Sequence, residues 1–270
     1  VQNAFHEACL EAGYSHDPDM NNPDSAGIGP LPMNNPEGVR MSTALSYLNP
    51  QRHRLNLTIR ANVTVRRVLF DGTKTTGVEV ESGGEVILSA GAIASPQLLM
   101  LSGIGPQDHL RSLGIPVVHD SPGVGQNLRD HPNVRIPLEV HDDFPMDPKA
   151  PRSQTALRYT AEGSTLRNDM QLMASSFSSP IAGDPLESEG IRFTCILELA
   201  NGSGEVTLAS TDPNDQPNLS YHYLEDPFDL KRLREAVRLC VRFQDHEDYK
   251  KIVKRRIAPT DEDLTTDEPL

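Results

Sequence analysis

The chain has no tryptophan, three cysteines, and only six tyrosines and seven phenylalanines among its 270 residues. So few aromatic faces slightly lower the case for a quaternary ammonium ligand, which asks for such faces, without excluding it. Cys9, Cys195 and Cys240 are odd in number and show no C-x-x-C spacing. They read as reduced, structural thiols of a cytosolic protein rather than a disulfide framework. No apolar run approaches the roughly 18 residues of a membrane span, and no signal peptide is visible at the start. Positive charge is scarce as well: 25 Lys and Arg stand against 38 Asp and Glu, a net charge of −13. Phosphate neutralisation needs clustered cations, so a nucleic-acid binder is disfavoured, and nothing supports docking on an anionic membrane. The histidines are scattered without i, i+4 spacing, which gives no support to a metal site. A Walker sequence and a G-x-S-x-G elbow are both missing.

What is present suits a loop-rich α+β protein: 22 Pro, 19 Gly and 37% hydrophobic residues. "VQNAFHEACLEAGYSH" runs with helical period, with Val1, Phe5, Ala8 and Ala12 on one face and Gly13 as the C-terminal cap. Proline steps between 15 and 41 favour turns. "RMSTALSYLNP" reads as a short helix, and "LNLTIRANVTVRRVLFDG" as a strand pair or bent strand turned at Asp71-Gly72. Val86-Ile87-Leu88 looks like a strand buried on both faces. Pro96 is placed to open a helix. "VRIPLEV", "DMQLMASSF", "IRFTCILEL" and "GEVTLAS" suit a half-exposed antiparallel sheet. "DPFDLKRLREAVRLCVRFQDH" is the clearest helix, with Leu230, Leu233, Val237 and Val241 on one stripe and Arg and Lys on the other. The basic run Lys250 to Arg256 reads as a solvated helix face. The helix at residue 1 begins without a cap, and start signals at Thr260 and Thr266 stand close to the last residue, so a segment of a longer protein is expected.

The chemistry rests on the glycines. "GIGPQD" has Asp108 and "GVGQNL" has Leu128 where the dinucleotide fingerprint needs its third small residue, so both read as caps or tight turns. "VILSAGAIASPQLL" differs: Ala90, Gly91 and Ala92 lack bulk, which admits either tight packing of strand on helix or close approach of a cofactor.

Gly91-Ala92-x-x-Ser95-Pro96-x-Leu98-Leu99-x-x-Ser102-Gly103-Ile104-Gly105 resembles the second signature of the glucose–methanol–choline (GMC) oxidoreductases. The stretches around "RMSTALSYLNP", "GVGQNLRDHP" and "GEVTLASTDPNDQPNLSYHYLEDPFDLKRLREAVR" are similar to that family too. The resemblance implies an FAD enzyme that oxidises a small-molecule alcohol by hydride transfer to the flavin. It also implies that the proton-accepting histidine pair lies beyond residue 270, so no catalytic residue is assigned here. Two alternatives accompany this reading: a lyase of the hydroxynitrile type without net redox, and a non-catalytic fragment that does not retain FAD.

By the same resemblance Val65 falls where the adenine end of FAD is contacted. Ser89, Ala90 and Gly91 match the strand end beside its ribose and phosphates, and Asn127 and Asp130 match a loop near the flavin, with Asp130 and His131 tying that loop to backbone groups. Ser175 and Phe177 match substrate-lining positions, and alternation would put both on one face. The implied division is 1–42 as a lead-in of the substrate domain, 43–133 in the FAD-binding domain, 134–258 as the substrate-binding domain, and 259–270 as the start of a C-terminal region.

Overall fold

A computed structural model describes residues 1–79, 81–82, 86–147, 149–177 and 190–265; Thr266, one of the two expected helix starts, lies outside them. The architecture is α+β, in two compact units. One comprises 1–34, 131–201 and 224–270; the other comprises 35–130 and 202–223. The break after Asp130 falls three residues from the boundary expected at 133/134, and the segment 202–223 clusters with the second unit.

The first unit is built on a six-stranded antiparallel sheet. Its order is Gly27–Pro30, Thr155–Tyr159, Met170–Ser175, Ile191–Leu197, Asn133–Val140 and Val253–Arg256. Alternation decides its two faces. Met170, Leu172 and Ala174 are fully buried while Gln171 and Met173 between them are half-buried; Ile191, Phe193, Cys195 and Leu197 face the same core. The helices Gln2–Glu11 and Pro227–Phe243 contribute Phe5, Ala8, Leu233, Val237 and Phe243 to that core. The rings of Phe5, Phe193, Phe243 and Tyr249 interlock edge to face or tilted, at 5.0–6.3 Å between centroids. Asp226 caps the long helix by accepting the N–H groups of Phe228 and Asp229.

Several expectations need correction here. The strands Gly27–Pro30 and Thr155–Tyr159 carried no clear period-2 signal, one being a Gly-Ile-Gly-Pro segment and the other five residues with mixed polarity. The basic run does not form one helix face: Lys250 ends a four-residue helix and Val253–Arg256 is an edge strand, whose Lys254 and Arg255 pair with Glu139. The long helix does not keep all its cations outside. Arg232 is fully buried, bonded to Asp169 (2.5 Å), to Asp229 and to the carbonyl oxygen of Leu199 (3.1 Å), with the Phe228 ring 4.7 Å from its guanidinium. Asp169 in turn accepts the N–H of Ala161, and Asp229 that of Asn201. A charge inside the core is tolerable only when paired with carboxylates in this way, although the Arg232 Nε–H finds no acceptor among the described residues.

The second unit has a smaller core of Met100, Leu110, Ile115, Leu128, Val206 and Leu208. Around it lie the meander Val68–Asp71, Lys74–Val78 and Glu81–Ser82, and the sheet Asn218–Ser220, Gly204–Thr207 and Gln126–Leu128. Of the strand-rich stretch expected before Asp71, only Val68–Asp71 pairs; Ile59, Val63 and Val65 are exposed on irregular backbone. Val86–Ser89 is not a strand, and Ile87 is 79% exposed. Among the described residues no neighbour runs beside it, and an apolar run without a ladder partner does not become a sheet interior. The helix begins at Gly91, not at Pro96, and runs to Leu101. Ser95 Oγ reaches back to accept the N–H of Ala90 (3.0 Å), which starts the helix a turn early and leaves Pro96 inside at the cost of one hydrogen bond.

Replacing Asp169 with Ala leaves Arg232 under-compensated in the core and is expected to lower unfolding stability by about 3–5 kcal/mol, read from urea midpoints. Tyr249 presents the opposite case: its hydroxyl is buried and finds no hydrogen-bond partner among the described residues. Tyr249→Phe is therefore expected to leave stability unchanged or raise it by up to about 1 kcal/mol in the same measurement.

Candidate functional site

The signature motif divides into a packed half and an open half. Ser102, buried at the C-terminal end of the helix Gly91–Leu101, donates from Oγ to the carbonyl of Leu98 (2.6 Å) and accepts the N–H of Val68 (2.8 Å). Gly103 follows at φ 86°, and its carbonyl accepts the N–H groups of Val118 and His119. A Cβ at Gly103 would lie 2.4 Å from the Pro116 carbonyl oxygen, so only glycine permits this approach. Ile104–Gly105 then pairs in parallel with His119–Asp120. This half anchors the helix.

The other end of the helix is open. Ser89, Ala90, Gly91 and Ala92 are all exposed. Gly91 has φ 87°, and a Cβ built on it meets no atom within 4 Å. No side chain among the described residues caps the first-turn N–H groups, so this helix end offers N–H donors and the positive end of its dipole. Among the described residues, no neighbouring atom fills the place of a Gly91 side chain. An anionic, bulky group such as a dinucleotide fits what it offers: space against the main chain and N–H donors.

The other cofactor candidates belong to the same unit. Val65 is 37% exposed and lies three residues before Val68, whose N–H the motif serine holds. Asn127 is exposed in the left-handed region at φ 63° and its Oδ1 accepts the Nε–H of Arg129 (3.1 Å). Asn127 is the middle residue of the strand Gln126–Leu128, whose Leu128 shares the Met100 core with the helix. Gly125, at φ 84°, passes so close to Val206 that a Cβ would sit 2.3 Å from its carbonyl oxygen. Asp130 accepts a hydrogen bond from the Tyr223 hydroxyl (2.7 Å), and the Tyr223 ring stacks on Tyr221 at 4.8 Å and 16°. His131 Nδ1 lies 3.1 Å from Glu198 Oε2.

The two substrate-lining candidates lie in the first unit. Ser175 ends its strand opposite Arg192 and alternates with Ala174, so it points to the sheet face away from the helices, where it is 3% exposed. Strand pairing stops there. Phe177 is half-buried two residues on, with the Arg152 guanidinium 5.2 Å from its ring, and strand alternation no longer relates it to Ser175. Sequence reasoning gave Tyr223 no role, although the Tyr-x-Tyr spacing of Tyr221 and Tyr223 after the strand Asn218–Ser220 was a usable signal.

Comparison with known proteins follows the geometry. Two family models, both described as GMC oxidoreductase, match residues 1–133 and 200–269. A GMC-type oxidoreductase of Rhodococcus erythropolis, itself uncharacterised, is 36% identical over 244 aligned residues, 87% of this chain and 48% of that protein. An oxygen-dependent choline dehydrogenase of Paraburkholderia xenovorans is 32% identical over 300 aligned residues, 99% of this chain and 53% of its own length. Among solved structures, a formate oxidase of Aspergillus oryzae superposes with TM-score 0.81 at 22% identity, over 98% of this chain and 57% of that one. Pyridoxine 4-oxidase of Mesorbium loti gives 0.79 at 24% identity, over 96% and 53%. These two share the fold. The chain spans about half the length of the curated relatives it matches.

The Tyr223–Asp130 pair has a measurable signature. Loss of hydration, then the hydrogen bond to Asp130 and the carboxylate charge, push the Tyr223 phenol up to about 12. A folded-state value above the unfolded one, about 10, means that the stabilisation is whole below pH 10 and is lost as pH rises through 12. Burial raises Tyr14, Tyr159 and Tyr249 too, so in an alkaline ultraviolet titration Tyr223→Phe should remove one of several late tyrosinates, together with the fall in stability between about pH 10 and 12.

Proposed function

The chain belongs to the GMC oxidoreductase family, and from that membership we propose that it forms part of a flavoenzyme that oxidises a small-molecule alcohol. The cofactor is FAD, which when bound supplies the hydride acceptor. The observation that carries this reading is the corner at Gly91: left-handed and, among the described residues, uncapped and free of neighbouring atoms where a side chain would stand.

Each residue then has a definite task. The first-turn N–H groups after Ala90 bind phosphate oxygens, for which the helix end is already polarised. Ser89 and Ala90 contribute by being small, so that the group lies against the main chain. Val65 borders the adenine end, and Asn127 and Asp130 hold the loop beside the flavin. Ser175 and Phe177 line the substrate side from the sheet of the first unit. The acidic balance of the chain, −13 overall, does not select the alcohol.

The test uses the gene product that carries these residues, purified with its flavin and mixed anaerobically with a panel of primary and secondary alcohols. At least one alcohol is expected to bleach the oxidised flavin absorbance in a single turnover. A product that carries no flavin, or a flavin that stays oxidised with every alcohol while a cyanohydrin is cleaved, would sink the proposal.

A further inference from the structure

Tyr223 sits between two strained residues. His222 has φ 52° and Leu224 φ 61°. Neither is glycine, and leucine has no short polar side chain to compensate the left-handed conformation locally. Strain of this kind persists only where surrounding structure over-determines it, and it concentrates at functional sites. A third such residue, Asn127 at φ 63°, lies three positions before Asp130, the hydrogen-bond partner of Tyr223. Asp130 and Tyr223 are also the last residues of the two pieces of the second unit before the chain leaves it. Their bond ties both exits together.

The supports on either side are firm. Tyr221 packs against the core of Met100, Leu128 and Val206, and its ring carries that of Tyr223, which is itself 45% exposed. Gly125 is pinned to Val206 by a backbone hydrogen bond of 2.6 Å. Between Gly125 and Asp130 the chain therefore has a fixed start, a buried midpoint at Leu128 and a latched end. Asn127 is held in its left-handed geometry within that span.

Resting on the reading above, we infer that Tyr223 is a positioning residue for the flavin seat: its hydroxyl, carried on the Tyr221 ring, latches Asp130 and thereby sets how Asn127 and Asp130 meet the cofactor. Tyr223 itself touches neither cofactor nor substrate in this scheme. The hydroxyl matters through the carboxylate it holds.

The experiment measures FAD affinity and the visible absorption of the bound flavin in the same gene product. Tyr223→Phe and Asp130→Ala are each expected to weaken FAD binding about tenfold, the effect of one lost charge-assisted hydrogen bond, and to shift the flavin band. Tyr221→Phe keeps the stacked ring and is expected to behave as wild type, while Tyr221→Ala reproduces Tyr223→Phe. The double variant Tyr223→Phe/Asp130→Ala is expected to be no worse than Asp130→Ala alone, because the tyrosine hydroxyl acts only through the carboxylate it holds. In the cofactor-free protein, amide exchange across Gln126–Asp130 should speed up in Tyr223→Phe. Wild-type affinity and spectrum in Tyr223→Phe, or additive losses in the double variant, overturn the inference and leave the flavoenzyme reading standing. A wild-type protein that holds no FAD overturns both.

Discussion

The second unit turns on one serine. Ser102 ends the helix Gly91–Leu101 with a hydrogen bond to the Leu98 carbonyl and, through the same oxygen, holds the N–H of Val68 at the start of the meander. Gly103 then lets the chain turn within a distance of Pro116 that no Cβ would allow. Fixing one end of an eleven-residue helix fixes the direction of its other end. The open, donor-bearing corner at Gly91 is therefore a rigid feature, and rigidity is what a site for a large cofactor requires. The same short motif supplies both the anchor and the opening, which explains why serine, glycine and a run of small residues occur together in it.

The first unit solves a different problem. Its sheet must bury one face under two helices. The interlocked rings of Phe5, Phe193, Phe243 and Tyr249 fill the buried side, while Arg232, Asp169 and Asp229 pin the long helix to the turns that lead into and out of the strands. Such a triad adds little net stability against an apolar substitute, since desolvation offsets the Coulomb attraction. It does fix the rotation of the helix, because only one rotation brings Arg232 to Asp169 and the Leu199 carbonyl, and Asp229 of the same helix to the N–H of Asn201. The far side of the sheet carries Gln171, Met173 and Ser175, half-buried or buried.

Sequence patterning was legible where one element alone carried the signal. The helix from Pro227 showed its period, and the strands Met170–Ser175 and Ile191–Leu197 were expected in an antiparallel sheet. Where the outcome depended on a partner, it was not legible. The apolar triplet Val86–Leu88 has strand composition but lacks a pairing neighbour among the described residues, and Ile87 is left exposed. Gly27–Pro30 has poor strand composition yet pairs with Thr155–Tyr159, because the neighbouring strand offers free backbone groups. Arg232 sits at a helical position whose burial cannot be told from its neighbours, since the carboxylate that permits it lies 63 residues away.

The order of residues by itself determined the α+β class, the family signature and the lack of bulk around Gly91, all properties of local composition and spacing. Only the tertiary structure decided that the corner stays open, that Asp130 is held by a tyrosine 93 positions away, and which charged side chain is taken into the core. Those outcomes depend on contacts between segments far apart along the chain. Their energy comes from exclusion of water and pairing of specific groups in three dimensions, and no periodicity along the sequence encodes it.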